Sequence, residues 1–99
     1  MNMIKQAQKM QRDAAAAQQE IAAMTFEASA GGGMVKATAT GEMAITDITI
    51  DPAAVDPEDV EMLQDMVVAA VNEALRAASE AANARMNAVM GGMKIPGLM

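Results

Sequence analysis

Three cations are the side chains whose type and spacing best suit them to do chemistry. Lys5, Lys9 and Arg12 stand at i, i+4 and i+7, which places them on one face of a helix. A row of such groups can neutralise successive phosphates of a nucleic acid, the main source of non-specific affinity for DNA. Gln6, Gln8 and Gln11 lie beside them and can donate to phosphate or sugar oxygens. The same stripe also fits a plain solvated outer face. Arg76, Arg85 and Lys94 are spread along the second helix and the tail, where they either extend the surface or are simply solvated.

Other chemistries have little material. The chain has no histidine and no cysteine, so the usual general base and the strong nucleophile are missing, and no disulfide framework exists. Ser29 and Ser79 have no base at a recognisable spacing, so no enzyme is expected and no cofactor is implied. The acidic run Asp51, Asp56, Glu58, Asp59 and Glu61 does not match the EF-hand pattern. Pro52 and Pro57 interrupt it, and helix capping explains it better than a metal. Glycines 31–33 lack the GxxxxGK[ST] and GxGxxG patterns and suit a hairpin turn with positive φ. With Phe26 the only aromatic, a stacking platform for single strands is excluded, and no helix-turn-helix or zinc-finger spacing appears. Any DNA bound should be duplex, held through its backbone.

The net charge of −6 opposes DNA binding in bulk, so only a local basic face can support it. The longest strongly apolar run, residues 66–71, is far short of the roughly 20 residues that a membrane span needs. No basic-then-apolar leader is visible, and a bacterial-type cytoplasm is the expected compartment. Ninety-nine residues make one domain with a thin core, because alanine and methionine supply much of the apolar count. A protomer of this kind is expected to complete its core by forming a homodimer.

The elements that must position the stripe follow from periodicity. Residues 2–24 read as a helix. Its seam, Met3, Ala7, Met10, Ala14, Ala17, Ile21 and Met24, steps by 4 and 3 in heptad fashion and fits either a coiled coil or a helix packed on its own domain. Residues 25–50 read as a three-stranded antiparallel meander with turns at 31–33 and 41–42. Ile45 is out of phase with Ile48 and Ile50, which suggests a bulge or burial on both faces. A second helix is expected over 56–90, with Asp56 as N-cap, Pro57 at its first position and Gly91 at its stop. Residues 91–99 form a tail, apolar over 93–99, that is either docked or loose. The fold class is α+β, in the order α-β-β-β-α.

Three segments, residues 29–36 (SAGGGMVK), 50–52 (IDP) and 67–75 (VVAAVNEAL), stand in an order and spacing that resemble the YbaB/EbfC family of bacterial nucleoid-associated proteins. The resemblance runs from KQAQKMQ near the start to the closing PGLM. It implies a homodimeric nucleoid protein that binds double-stranded DNA, with protomers joined through their sheets and second helices and the N-terminal helices projecting as paired arms. It also implies that Lys5 and Lys9, in the KQAQKMQ segment, and Arg12, directly after it, serve DNA. The acidic balance and the Met-rich surface keep a second reading open: a protein-interaction module with a partner in DNA replication or repair.

Overall fold

A computed structural model of the chain describes the backbone of residues 3–90 and the side chains of residues 3–89. Helix α1 (Met3–Ala23) leads into strands β1 (Thr25–Ala30), β2 (Val35–Thr40) and β3 (Ile45–Ile50). A 3-10 turn (Pro52–Ala54) and helix α2 (Val60–Met90) follow. The expected order α-β-β-β-α therefore holds. The expected tail at 91–99 lies outside the described residues.

The strands form one antiparallel sheet in the order β1-β2-β3. Gly31, Gly32 and Gly33 all have positive φ, which only glycine adopts freely, so the first hairpin turn requires them. Gly41, in the second turn, is glycine for another reason. A Cβ there would stand 1.8 Å from the Ile21 carbonyl oxygen, so the turn fits against the end of α1 only without a side chain. The Gly41 amide donates to the Met24 carbonyl at 3.2 Å and fastens that joint.

The out-of-phase isoleucine has a structural counterpart. Thr38 pairs with Asp47 but Ala39 pairs with Ile45, so Thr46 is an extra residue in a β-bulge. Its hydroxyl donates to the Thr38 carbonyl at 3.4 Å. The bulge returns Ile45 to the apolar face that Ile48 and Ile50 share with Ala37 and Val35.

Helix α2 lies across β1 and β2. Ala70, Ala74 and Ala78 recur every four residues and pack onto Val35, Ala37 and Ala39, all six fully buried. Val35 is the largest fully buried side chain, which bears out the expected thin core. Because α2 stops at β2, the Ile48 and Ile50 side chains on β3 stay 40% and 38% exposed. The accessible surface is 7063 Å², against roughly 5,400 Å² for a compact protein of this mass. The radius of gyration is 19.1 Å, where about 13 Å is usual for this length.

The start of α2 corrects the expectation at Asp56 and Pro57. The Asp56 carboxylate accepts from the Glu58 amide two residues on at 2.9 Å, and its carbonyl accepts from the Asp59 amide at 3.0 Å. These bonds close a local turn in place of a first helical turn. Capping passes to Asp59, whose carboxylate accepts from the Met62 amide at 3.2 Å, and the helix begins at Val60.

Candidate nucleic-acid interface

The seam of α1 divides in two. Ala17 and Ile21 are buried, and Met10, Ala14 and Met24 are half-buried, where α1 packs along α2. Met3, 80% exposed, and Ala7 extend past that packing. The two helices run antiparallel. Arg85 donates to Glu20 at 2.9 Å, and Asp13 and Ala16 share a shallow concavity with Ala88 and Val89. The first part of α1 is thus an arm at the far end of α2 from the 31–33 turn, which lies beside Met66.

That arm carries the cations. Lys5, Lys9 and Arg12 are exposed and, with Gln8 and Asp13, line one open depression. Of the flanking glutamines, Gln6 and Gln11 do not border it. Among the described residues, none of the three cations has an ion-pair partner, so all three are available to an incoming anion.

The other two arginines are engaged. Arg76 meets Glu73 through a fork, with Nε to Oε2 at 3.0 Å and Nη2 to Oε1 at 2.5 Å, and also bonds Glu80. The Glu73 carboxyl is held below its usual range by the Arg76 hydrogen bond and charge, partly offset by burial. Arg85 is tied to Glu20, whose carboxyl is lowered by that hydrogen bond and then by the Arg85 charge. Neither arginine extends the free stripe. The Arg76 pairs were visible in the sequence as glutamates three residues before and four residues after it. The Glu20 pair was not, because its members are 65 residues apart.

Charge is therefore segregated along the molecule. Residues 1–12 hold three of the seven cations and no carboxylate. Between Lys36 and Arg76 there is no cation, while carboxylates recur from Glu42 to Glu73 and crowd the turn ahead of α2. Helix α2, with 31 residues, separates that turn from the arm by about 45 Å at 1.5 Å per residue. With a screening length of about 8 Å at physiological salt, the two ends present independent fields. The net charge of −6 describes neither of them. Among the described residues no cluster of acidic groups could hold a metal ion, and no helix is long and apolar enough to cross a membrane.

A model of the YbaB/EbfC DNA-binding family matches residues 1–93. A nucleoid-associated protein of Acetivibrio thermocellus is 57% identical over 98 residues, which are 98% of this chain and 87% of that protein. A nucleoid-associated protein of Ruminiclostridium cellulolyticum is 53% identical over 98 residues, 98% of this chain and 85% of its own. The crystal structure of the uncharacterized protein HP0035 from Helicobacter pylori shares the fold, with a TM-score of 0.73 at 22% identity over 95% of this chain and 99% of that one. The family match over nearly the whole length, with relatives this similar, places the chain in the YbaB/EbfC DNA-binding family.

Proposed function

We propose that this protein is a nucleoid-associated homodimer that binds double-stranded DNA through the phosphate backbone, with Lys5, Lys9 and Arg12 of each arm as the contacts. It would act in chromosome organisation or gene regulation, in the cytoplasm at the nucleoid. The observation that carries this reading is the free cationic stripe on an exposed arm, in a molecule whose other described arginines are held by carboxylates. The family and the names of the relatives support DNA as the ligand.

Dimerisation is supported by apolar surface with no cover in the protomer. Ile48 and Ile50 lie open on β3, and Val68 of α2 is 57% exposed on the flank shared with Val71 and Leu75. The excess surface, roughly 1,700 Å² per protomer over a compact protein of this mass, exceeds the roughly 800 Å² that each partner buries in a standard interface. Ile48→Asp with Ile50→Asp should shift the sedimenting species from dimer to monomer. An unchanged dimer would move the interface elsewhere.

Anisotropy of a labelled 30-base-pair duplex tests the DNA reading. Six phosphate contacts in a dimer predict a slope of log K against log salt near −5, from about 0.9 for each. The Lys5→Glu/Lys9→Glu/Arg12→Glu variant should lose this binding while remaining dimeric. No binding by the wild type, even at low salt, would favour the second reading, an interaction module for a protein partner in DNA replication or repair. The cation-free stretch from Glu42 to Glu73 is the observation on that side.

A further inference from the structure

The two helices begin under opposite electrostatic conditions. Helix α2 starts behind the Asp59 cap and carries Glu61 in its first turn, so negative charge meets the positive end of its dipole. Helix α1 has no acidic residue in its first turn, and none occurs in the chain before Asp13. Lys5 stands in that turn instead, where the dipole repels a cation. Lys9 follows four residues on, the spacing at which like charges weaken a helix. Lys9 and Asp13 have the spacing of a compensating pair, yet among the described residues no ion pair joins them.

Packing does little to offset these charges. Residues 3–9 are all exposed, Met3 by 80%, and the apolar cover of α1 begins at Met10. What holds the first two turns is propensity, since glutamine, alanine, methionine and lysine are good helix formers. The covered stretch from Met10 onward serves as the nucleus from which they extend. Extension from a nucleus gains little for each residue added, with a propagation constant of about 1–1.6. The arm therefore lies close to the balance point between helix and coil, and its own lysines weigh against the helix.

We infer that residues 3–9 exchange between helix and coil in the unbound protein, and that the phosphates of a bound duplex complete the helix. Anions laid along the stripe neutralise Lys5 and Lys9 and meet the positive end of the α1 dipole, so they remove both penalties at once. Binding at the arm and folding of the arm become one step. Apparent affinity is then reduced by the fraction of unbound molecules whose arm is helical, which makes arm helicity a control on DNA affinity. The coupling to DNA rests on the DNA reading above, whereas the weakness of the unbound arm stands on its charges and exposure alone.

NMR of the isotope-labelled chain at low salt tests both parts. Without DNA, the Cα secondary shifts of residues 4–9 should fall below those of residues 14–22. Amides 7–10 should exchange at least about 100-fold faster than amides 17–21, as fraying ends do relative to a packed helix. Fully helical shifts with slow exchange in the unbound arm would overturn the inference. Lys5→Glu places a carboxylate in the first turn and pairs it with Lys9, and should slow exchange at amides 7–10 about fivefold or more without DNA. Unchanged exchange in that variant would show that charge does not govern the arm. Adding a 30-base-pair duplex to the wild type should move the Cα shifts of residues 4–9 to helical values. These shifts report backbone conformation, so simple occlusion by DNA does not mimic the change. A bound duplex with the shifts unmoved would overturn the coupling. If the wild type binds no DNA, the DNA reading fails and takes the coupling with it, while the unbound shifts and Lys5→Glu still decide the state of the arm.

Discussion

The arm of α1 and the turn ahead of α2 lie at opposite ends of the molecule and hold their charges differently. On the arm, three cations project from one helix face, none of them paired among the described residues. At the other end the carboxylates are put to local use. Asp51 bonds the Ala53 amide, Asp56 bonds the Glu58 amide and Asp59 caps α2. Charge spent on the protein's own backbone organises the fold, and charge left unspent is available to a ligand. A summed charge of −6 averages the two kinds and so conceals the second.

Reversing the arm charges gives the largest effect that sharpens this contrast. Binding of Lys5→Glu/Lys9→Glu/Arg12→Glu to duplex DNA at low salt should fall by at least about 100-fold. Its melting temperature should move by only a degree or two, because none of these exposed side chains is ion-paired among the described residues. A large loss of stability would mean that the stripe serves the fold after all. Next comes the joint between arm and sheet. Gly41→Ala drives a Cβ into the Ile21 carbonyl and should cost about 2–3 kcal/mol in denaturant unfolding, the upper range for overpacking. Wild-type stability in that variant would show that the turn yields easily.

A smaller effect is expected from neutralising the acidic end. Glu58→Gln, Glu61→Gln and Asp65→Asn leave the Asp59 cap intact and should raise DNA affinity only a few-fold, with the salt slope unchanged, because screening isolates the two ends. A steeper slope in that variant would show that the acidic end contacts or repels DNA directly. The smallest effect is in acid. Folded-state carboxyls held below their unfolded values, as at Glu20 and Glu73, add stability that is present above the ordinary carboxylate range. That stability is lost as pH falls through the lowered values. Arg85→Ala should therefore flatten the acid limb of the stability curve slightly and leave the region from pH 6 to 8 unchanged. Both groups are exposed, so a pronounced change near neutrality would contradict this assignment.

Much of this arrangement was legible in the residues. The stripe followed from i, i+4, i+7 spacing, whereas one isoleucine out of step with two others left a bulge or burial on both faces open, and the strand register decides for a bulge at Thr46. The start of α2 was misplaced because two aspartates, Asp56 and Asp59, each suit an N-cap, and only the backbone shows that the first closes a turn with Pro57. Where the seam of α1 ceases to be covered was hidden as well. That depends on how far α2 runs beside α1, and heptad spacing is blind to it. Nor did the strand pattern indicate that α2 would leave β3 uncovered. Ile48 and Ile50 have the same local periodicity as buried residues, and their exposure is set by the lateral position of a helix distant in sequence.

The row of alanines between α2 and the sheet reverses the usual pattern of mutational risk. In most cores the dangerous substitutions remove atoms, since Leu→Ala leaves a cavity costing about 2–5 kcal/mol. Here Ala70, Ala74 and Ala78 face Ala37 and Ala39 with full burial, so there is little left to remove. An alanine replaced by glycine on α2 loses one methyl and about 1 kcal/mol of helix propensity. An alanine replaced by valine or leucine must push helix and sheet apart along their whole contact. Sequence drift in this protein should therefore be held back at these positions by an upper limit on side-chain size, while polar exchanges on the exposed faces pass freely.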